Sequence, residues 1–173
     1  KKFNLFKISS GDLLREEIKK KSVLGSKIES ELNQGILVSD AIINKLIKDV
    51  VSEKKYFNRL IFDGYPRNLN QAQNLDNLLK KHKQKISCVL SLKVNEDVII
   101  KRVLGRQVCS KCGLTFNEYF NPPTKENYNC KLKYLQKRSD DNEKTIRNRY
   151  KTYVNKTLII LNYYRNQNLL YKI

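Results

Sequence analysis

No run in this 173-residue chain approaches the ~18–20 consecutive apolar residues of a membrane-spanning helix, so no membrane partner is expected. Nor does a positively charged start lead into an apolar stretch of the kind that exports a protein. With four cysteines and no export signal, a disulfide framework is not expected, and the compartment reads as reducing and cytoplasmic. Internal repeats are absent. Basic residues are not interleaved with aromatic stacking motifs as they are in many RNA-binding modules. Acidic residues are scarce, 17 against 35 lysines and arginines, which leaves a formal charge of +18. Such a balance favours acidic partners: nucleotides, nucleic acid or an anionic membrane surface. A compositional cause competes with that reading. Tryptophan and methionine are missing while Lys, Asn, Ile and Tyr are crowded, as translation of an A/T-rich gene would give. Lysines such as Lys19 to Lys21, Lys80, Lys81 and Lys83 therefore read as solvated helix faces, and no nucleic-acid partner is expected.

The length fits one compact domain, or one with a small insert. Ser9 or Ser10 is suited to cap a helix over about 11–20, and a second helix is predicted from Leu24 to Asn33 with Gly35 stopping it. Ser39 opens a third. There Ile42, Ile43, Leu46, Ile47, Val50 and Val51 recur at helical spacing as one apolar stripe. A strand at Leu60 follows, then a helix near 70–82. A strand around Cys88 comes next, its pattern predicting that Cys88 is an inert core thiol. Asn95 caps a helix carrying Val98, Ile99, Val103 and Leu104. From Gly105 to about Asp140 periodicity fails. That stretch is too long for an ordinary loop and reads as an inserted mini-domain. A long helical region resumes at Asp140, and 169–173 reads as a strand. Strands alternating with helices predict a parallel α/β sheet.

Three constellations carry chemistry. Leu60-Ile61-Phe62-Asp63-Gly64-Tyr65-Pro66-Arg67 is an apolar strand that stops on an acid, turns, and presents an arginine, with Gln71 four residues on. Open α/β sheets bind ligands at strand carboxyl ends. Asp63 is suited there to hold a metal's water shell, Arg67 to grip an anionic oxygen in a fork, and Gln71 to read a base edge. Alone, Asp-Gly and Tyr-Pro are equally well read as turn chemistry. Ile8-Ser9-Ser10-Gly11-Asp12-Leu13-Leu14-Arg15 joins hydroxyls, a helix N-terminus and an arginine, which suits a phosphate; a capped helix with a surface arginine explains it too. Arg102 and Arg106 are four apart and predicted to share a helix face, and Arg138 and Arg149 are eleven apart with Asp140 and Asp141 between. Four arginines flanking an insert are able to converge on a polyphosphate; weak surface Asp–Arg pairs are the alternative.

Taken in order along the whole chain, these segments resemble adenylate kinases of the nucleoside monophosphate kinase family, of the long-lid type. The matches are 9–15, Gly35 to Asp40, Asp63-Gly64-Tyr65-Pro66-Arg67 with Gln71, Gly105-Arg106, the Cys-containing insert with Phe120-Asn121-Pro122-Pro123, and Arg138-Ser139-Asp140-Asp141-Asn142-Glu143 with Arg149. The resemblance implies a P-loop NTPase-like parallel sheet flanked by helices, with a core over 1–106 containing an AMP-binding helical segment at about 9–40. It implies a lid over 107–137 and a core continuation over 138–173. The implied reaction is ATP + AMP to two ADP. Ser10, Arg15, Gly64, Tyr65, Arg67 and Gln71 would bind AMP, with Gly35, Leu37 and Val38 contacting it largely through backbone. Arg102, Arg106, Phe116, Arg138 and Arg149 would meet ATP, with Arg106, Arg138, Arg149 and Asp63 acting in catalysis. Magnesium would be held through water by Asp63 and Asp140, Asp140 alternatively holding the lid-side arginines. A monomer acting on free ATP and AMP is expected.

Departures from the family pattern are specific. No Gly-rich loop ending in Gly-Lys-Ser/Thr occurs anywhere, and the expected final helix is absent, which reads as a chain clipped at both ends and poorly active as written. An inactive paralogue is the corresponding alternative. Some family lids hold zinc on two Cys-x-x-Cys pairs. Here Cys109, Cys112 and Cys130 match three ligands, Lys133 stands at the fourth position, and Glu126 is the nearest substitute. Structural zinc takes four ligands, so bound zinc is not favoured. Phe116 and Asn117 stand where many members have Tyr and His. Kinases for UMP, CMP or GMP, and a basic RNA-binding protein with a Cys-rich ribbon, are the competing functions. Gln71, the long lid and the ordered arginines favour AMP.

Overall fold

The computed structural model describes residues 3–173; Lys1 and Lys2, at the head of the expected 1–106 core, lie outside it. Two parallel strand pairs form the frame. β1 (Phe6–Ser9) pairs with β2 (Leu60–Asp63), and β3 (Val89–Ser91) with β7 (Leu170–Lys172). Helices flank them: α1 (Ser10–Lys19), α2 (Val23–Asn33), α3 (Asp40–Val51), α4 (Leu69–Lys81), α5 (Glu96–Leu104), α6 (Glu143–Thr152) and α7 (Leu158–Arg165). This is a mixed α/β fold of parallel strands covered by helices, in line with a P-loop NTPase-like architecture. Among the described residues no helix is long and apolar enough to cross a membrane.

Local chemistry places most boundaries. Ser9, Ser22, Asn68, Asn95 and Asn142 each accept a backbone N–H in the first turn of the helix that follows, satisfying donors that lack an intrahelical partner. Gly35 follows the end of α2 at φ +73°, a left-handed conformation that glycine adopts without steric cost. The apolar stripe of α3 buries Ile43, Ile47 and Val51 against α1, α2 and α4, where Ile28 and Leu75 are fully enclosed. A second cluster joins Ala72 of α4 to Ile160 and Tyr164 of α7.

Residues 106–136 hold a three-stranded antiparallel sheet, order β5-β4-β6, from β4 (Arg106–Cys109), β5 (Thr115–Asn117) and β6 (Leu135–Gln136). Its strands are too short to show periodicity in sequence. It has its own small core of Cys109, Phe116 and Tyr128.

Three sequence expectations are corrected. Cys88 is exposed and not a core thiol, because β3 starts one residue later and Leu90 and Leu92 are also exposed. Arg102 and Arg106 do not share a helix face: α5 ends at Leu104, Gly105 caps it, and Arg106 opens β4. Arg138 lies ahead of α6, since Asn142 sets the helix start, so no helical turns link it to Arg149. The long helical region expected after Asp140 is present from Glu143 to Arg165, with a π-helical turn, Tyr153–Thr157, between α6 and α7.

Ile47 is wholly enclosed in the main apolar cluster. Ile47→Ala should cost about 2–5 kcal/mol, read as a lower denaturant midpoint at unchanged slope.

Candidate active site

The β1–β2 register sets Ser9 opposite Asp63, so the two chain segments leave their strands side by side at the carboxyl ends. Just beyond, the Ser10 hydroxyl donates to the Gly64 carbonyl at 2.6 Å. Gly64 sits at φ +71°, and a Cβ there would lie 2.9 Å from both Ser10 Oγ and an Arg67 guanidinium nitrogen. Glycine is required for both reasons. Ser10 is buried and its proton is committed, so as arranged it offers lone pairs, and donation to an anion needs the hydroxyl to rotate.

Arg67 is held from three directions. Its N–H donates to Gln71 Oε1 at 2.8 Å, its Nε donates to the Gly64 carbonyl at 2.6 Å, and its carbonyl accepts from Thr157 Oγ1 at 2.8 Å. Tyr65 is buried in the main core, its hydroxyl 2.7 Å from Asn44 Oδ1, so it supports the turn from within. Gln71 is itself buried, and its Nε2 donates to Asp40 Oδ1 at 2.7 Å.

Five arginines gather here. Burial holds the Arg67 guanidinium below its ordinary pKa, with Arg149 and Arg15 adding repulsion and Asp63 opposing. Arg138 is lowered by burial, then by Arg106 and Arg15. Arg15 pairs with Asp12, Arg106 with Asp141 through two hydrogen bonds, and Arg149 with Asp140 at 2.5 Å. Among the described residues neither Arg67 nor Arg138 has a carboxylate within 4.0 Å. Like charges confined together favour a multiply charged anion between them. Arg102 does not join this group; it is exposed on α5, with its guanidinium 5.2 Å over the Phe120 ring.

The carboxyl end of α2 is fastened to α6. Thr145 Oγ1 donates to the Asn33 carbonyl at 2.8 Å, and an Arg149 guanidinium nitrogen donates to the Leu32 carbonyl at 3.2 Å. Gly35 fits closely there, since a Cβ would stand 2.8 Å from the Thr145 carbonyl. Leu37 and Val38 continue into the connection to α3, Val38 being buried in the core. Asp63 is exposed at the end of β2, paired with Lys7 Nζ at 3.4 Å. Asp140 is occupied by Arg149 and is buried, which fits holding an arginine better than meeting a metal's water.

In the 106–136 sheet, Cys109, Cys112 and Cys130 bring their sulfurs within 4.8 Å of one another. Neither Glu126 nor Lys133 completes the set; the neighbouring polar group is the Tyr128 hydroxyl, which donates to Cys109 Sγ at 3.2 Å. Burial raises the Cys109 thiol pKa, but the hydrogen bonds from Tyr128, Cys112 and Lys111 outweigh it and hold the thiol below its ordinary range. Cys130 is pushed up to about 11 by burial and by its thiol neighbours. Phe116 packs edge-on against Tyr128 at 5.1 Å inside this cluster.

Asp40, Asp141, Thr145 and Thr157 also hold the site together, a part that the sequence does not assign them. Asp141 was readable as the second acid of Asp140-Asp141; nothing local marks the others.

Parallel strand ends carrying a convergent arginine group offer a site for a multiply charged anion. The family model described as adenylate kinase matches residues 1–169. The chain is 45% identical to the adenylate kinase of Pelagibacter ubique (strain HTCC1062) over 169 residues, covering 97% of this chain and 79% of that one. It is 40% identical to the adenylate kinase of Hydrogenobaculum sp. (strain Y04AAS1) over 166 residues, 95% and 78% of the two chains, and 40% identical to that of Thermosipho melanesiensis over 168 residues, 96% and 78%. The chain belongs to the adenylate kinase family.

Burial raises the Asp140 carboxyl pKa, but the hydrogen bond and charge of Arg149 outweigh it, so the group is held below its ordinary value. A carboxylate so depressed stabilises the fold above the ordinary carboxylate range and loses that contribution as pH falls through it. Asp140→Asn should therefore lower Tm at pH 7 by roughly 3–10 °C, with the gap to wild type closing below about pH 4. Thermal melts across that range check this.

Proposed function

We propose that this protein catalyses reversible phosphoryl transfer from ATP to AMP, giving two ADP. The observation that carries the reading is the gathering of Arg15, Arg67, Arg106, Arg138 and Arg149, two of them without a carboxylate partner among the described residues. Phosphoryl transfer asks a protein mainly for positioning and charge stabilisation, and planar guanidinium forks supply both.

In this mechanism Arg67 and Arg15 grip the AMP phosphate at the Gly64 turn, with Ser10 beside them. Gly35, Leu37 and Val38 line the acceptor with backbone, and Gln71 reads the base. Arg106, Arg138 and Arg149 neutralise the donor phosphates and the charge spread over the transferring group. Asp141 and Asp140 hold two of those arginines in place. Arg102 contributes at the rim of the donor side. Asp63 would hold a magnesium ion through its water shell, and the ion would supply charge neutralisation on the donor phosphates. Residues 1–106 and 138–173 serve as core, with 9–40 as acceptor segment and 107–137 as a lid that excludes water. Three thiols and one phenol do not make the closed four-ligand set of structural zinc, so no role is routed through that metal. The protein works as a monomer on free nucleotides in the cytoplasm, with no nucleic-acid or membrane partner.

A coupled assay with AMP, UMP, CMP and GMP tests the reaction. AMP should be the acceptor used best by a wide margin, since a site built on hydrogen-bond pairs rejects analogues strongly. Equal or better turnover of UMP would refute the assignment. Arg67→Lys keeps the charge but loses the fork, and should lower kcat/KM for AMP roughly ten- to a hundredfold. Unchanged kinetics would put Arg67 outside the site.

A further inference from the structure

We infer that Asp40 sets the base selectivity of the acceptor site by fixing which way round the Gln71 side-chain amide faces. The inference rests on the proposal that Gln71 reads the base. An amide side chain has two ends of similar shape and opposite hydrogen-bonding sense, so a base-reading glutamine is selective only if it cannot turn over.

The surroundings of Gln71 prevent the turn. On one side stands Asp40, whose ionised carboxylate only accepts; it receives Gln71 Nε2 at 2.7 Å. On the other stands the backbone N–H of Arg67, which only donates; it meets Gln71 Oε1 at 2.8 Å. Reversal would set donor against donor at Arg67 and acceptor against acceptor at Asp40. Two valences remain, one N–H on Nε2 and one lone pair on Oε1, in a set order. That ordered pair suits adenine, whose 6-amino group donates beside a ring nitrogen that accepts. Hypoxanthine and guanine present the reverse order, an acceptor beside a donor.

Asp40 is held for this task. Asn68 Nδ2 donates to both of its oxygens, at 2.9 and 3.2 Å, while Asn68 Oδ1 accepts the Gln71 backbone N–H at 2.8 Å. The first residues of α3 and α4 are thereby tied together around the amide. Asp40 touches no reacting atom in this account; it is a positioning residue.

The test compares AMP with inosine monophosphate as acceptors, measuring kcat and KM for each. Asp40→Ala should lower the AMP-to-IMP selectivity about tenfold, mainly through a higher KM for AMP, with kcat at saturating AMP within about twofold. Asp40→Asn keeps an oxygen where both amides converge and should restore most of the selectivity. Asp40→Ser keeps a hydroxyl for the first turn of α3 but is too short to reach Gln71; it replaces the alanine variant if melting shows that variant unfolded. Gln71→Leu separates the two ideas, and the double variant Asp40→Ala with Gln71→Leu should be no less selective than Gln71→Leu alone. If Gln71→Leu loses selectivity and Asp40→Ala does not, the role given to Asp40 is refuted and the base-reading role of Gln71 stands. If Gln71→Leu keeps full selectivity, the base-reading role fails and the Asp40 inference falls with it. Equal losses on AMP and IMP in the Asp40 variants, asparagine included, would show a merely structural residue and overturn the proposal.

Discussion

The parallel register of β1 on β2 is the constraint from which the site follows. It sets Ser9 against Asp63, and so brings the hydroxyl-rich start of α1 beside the Gly64–Arg67 turn. A shift of one residue would reverse which side chains face the core and break the 2.6 Å bond between Ser10 and the Gly64 carbonyl. Register is strongly specified because Ile8 is buried in the main core. Core packing on one side of the strand pair therefore decides the geometry of the polar groups at its end.

Electrostatics supplies the second layer. Guanidinium groups brought together repel one another, and the protein tolerates this by giving three of them carboxylates. The Asp141 side chain is fully buried and receives two hydrogen bonds from Arg106, a geometry that fixes the arginine's plane as well as its charge. Arg149 bridges Asp140 and the Leu32 carbonyl, so the same side chain that belongs to the proposed donor side also fastens the end of α2. The acceptor segment and the residues that follow the inserted sheet are thus joined through one cation. Among the described residues Arg67 and Arg138 have no carboxylate within 4.0 Å, which keeps positive potential for a phosphate ligand.

The inserted sheet is held differently. Its strands are two to four residues long, too little to stand alone, and its core is one cysteine and two aromatic rings with partly buried neighbours. Three sulfurs and the Tyr128 hydroxyl meet there. The phenol donates to Cys109, which favours the thiolate, and the neighbouring thiols push Cys130 the other way.

The sequence by itself determined whatever depends on neighbours a few residues away. Ser9, Asn68, Asn95 and Asn142 cap their helices through local hydrogen bonds, Gly35 and Gly64 stand at left-handed turns, and α3 carries its stripe, because capping, turn chemistry and helical periodicity act over a single turn. The ordered motifs likewise identified the family without any structure. Only the tertiary structure decided which charges pair, which residues are enclosed and which strands meet. Arg149 reaches Leu32 across 117 residues, Gln71 reaches Asp40 across 31, and Phe116 and Tyr65 are enclosed by residues distant in sequence. Such contacts depend on how distant elements pack, and no local propensity encodes them.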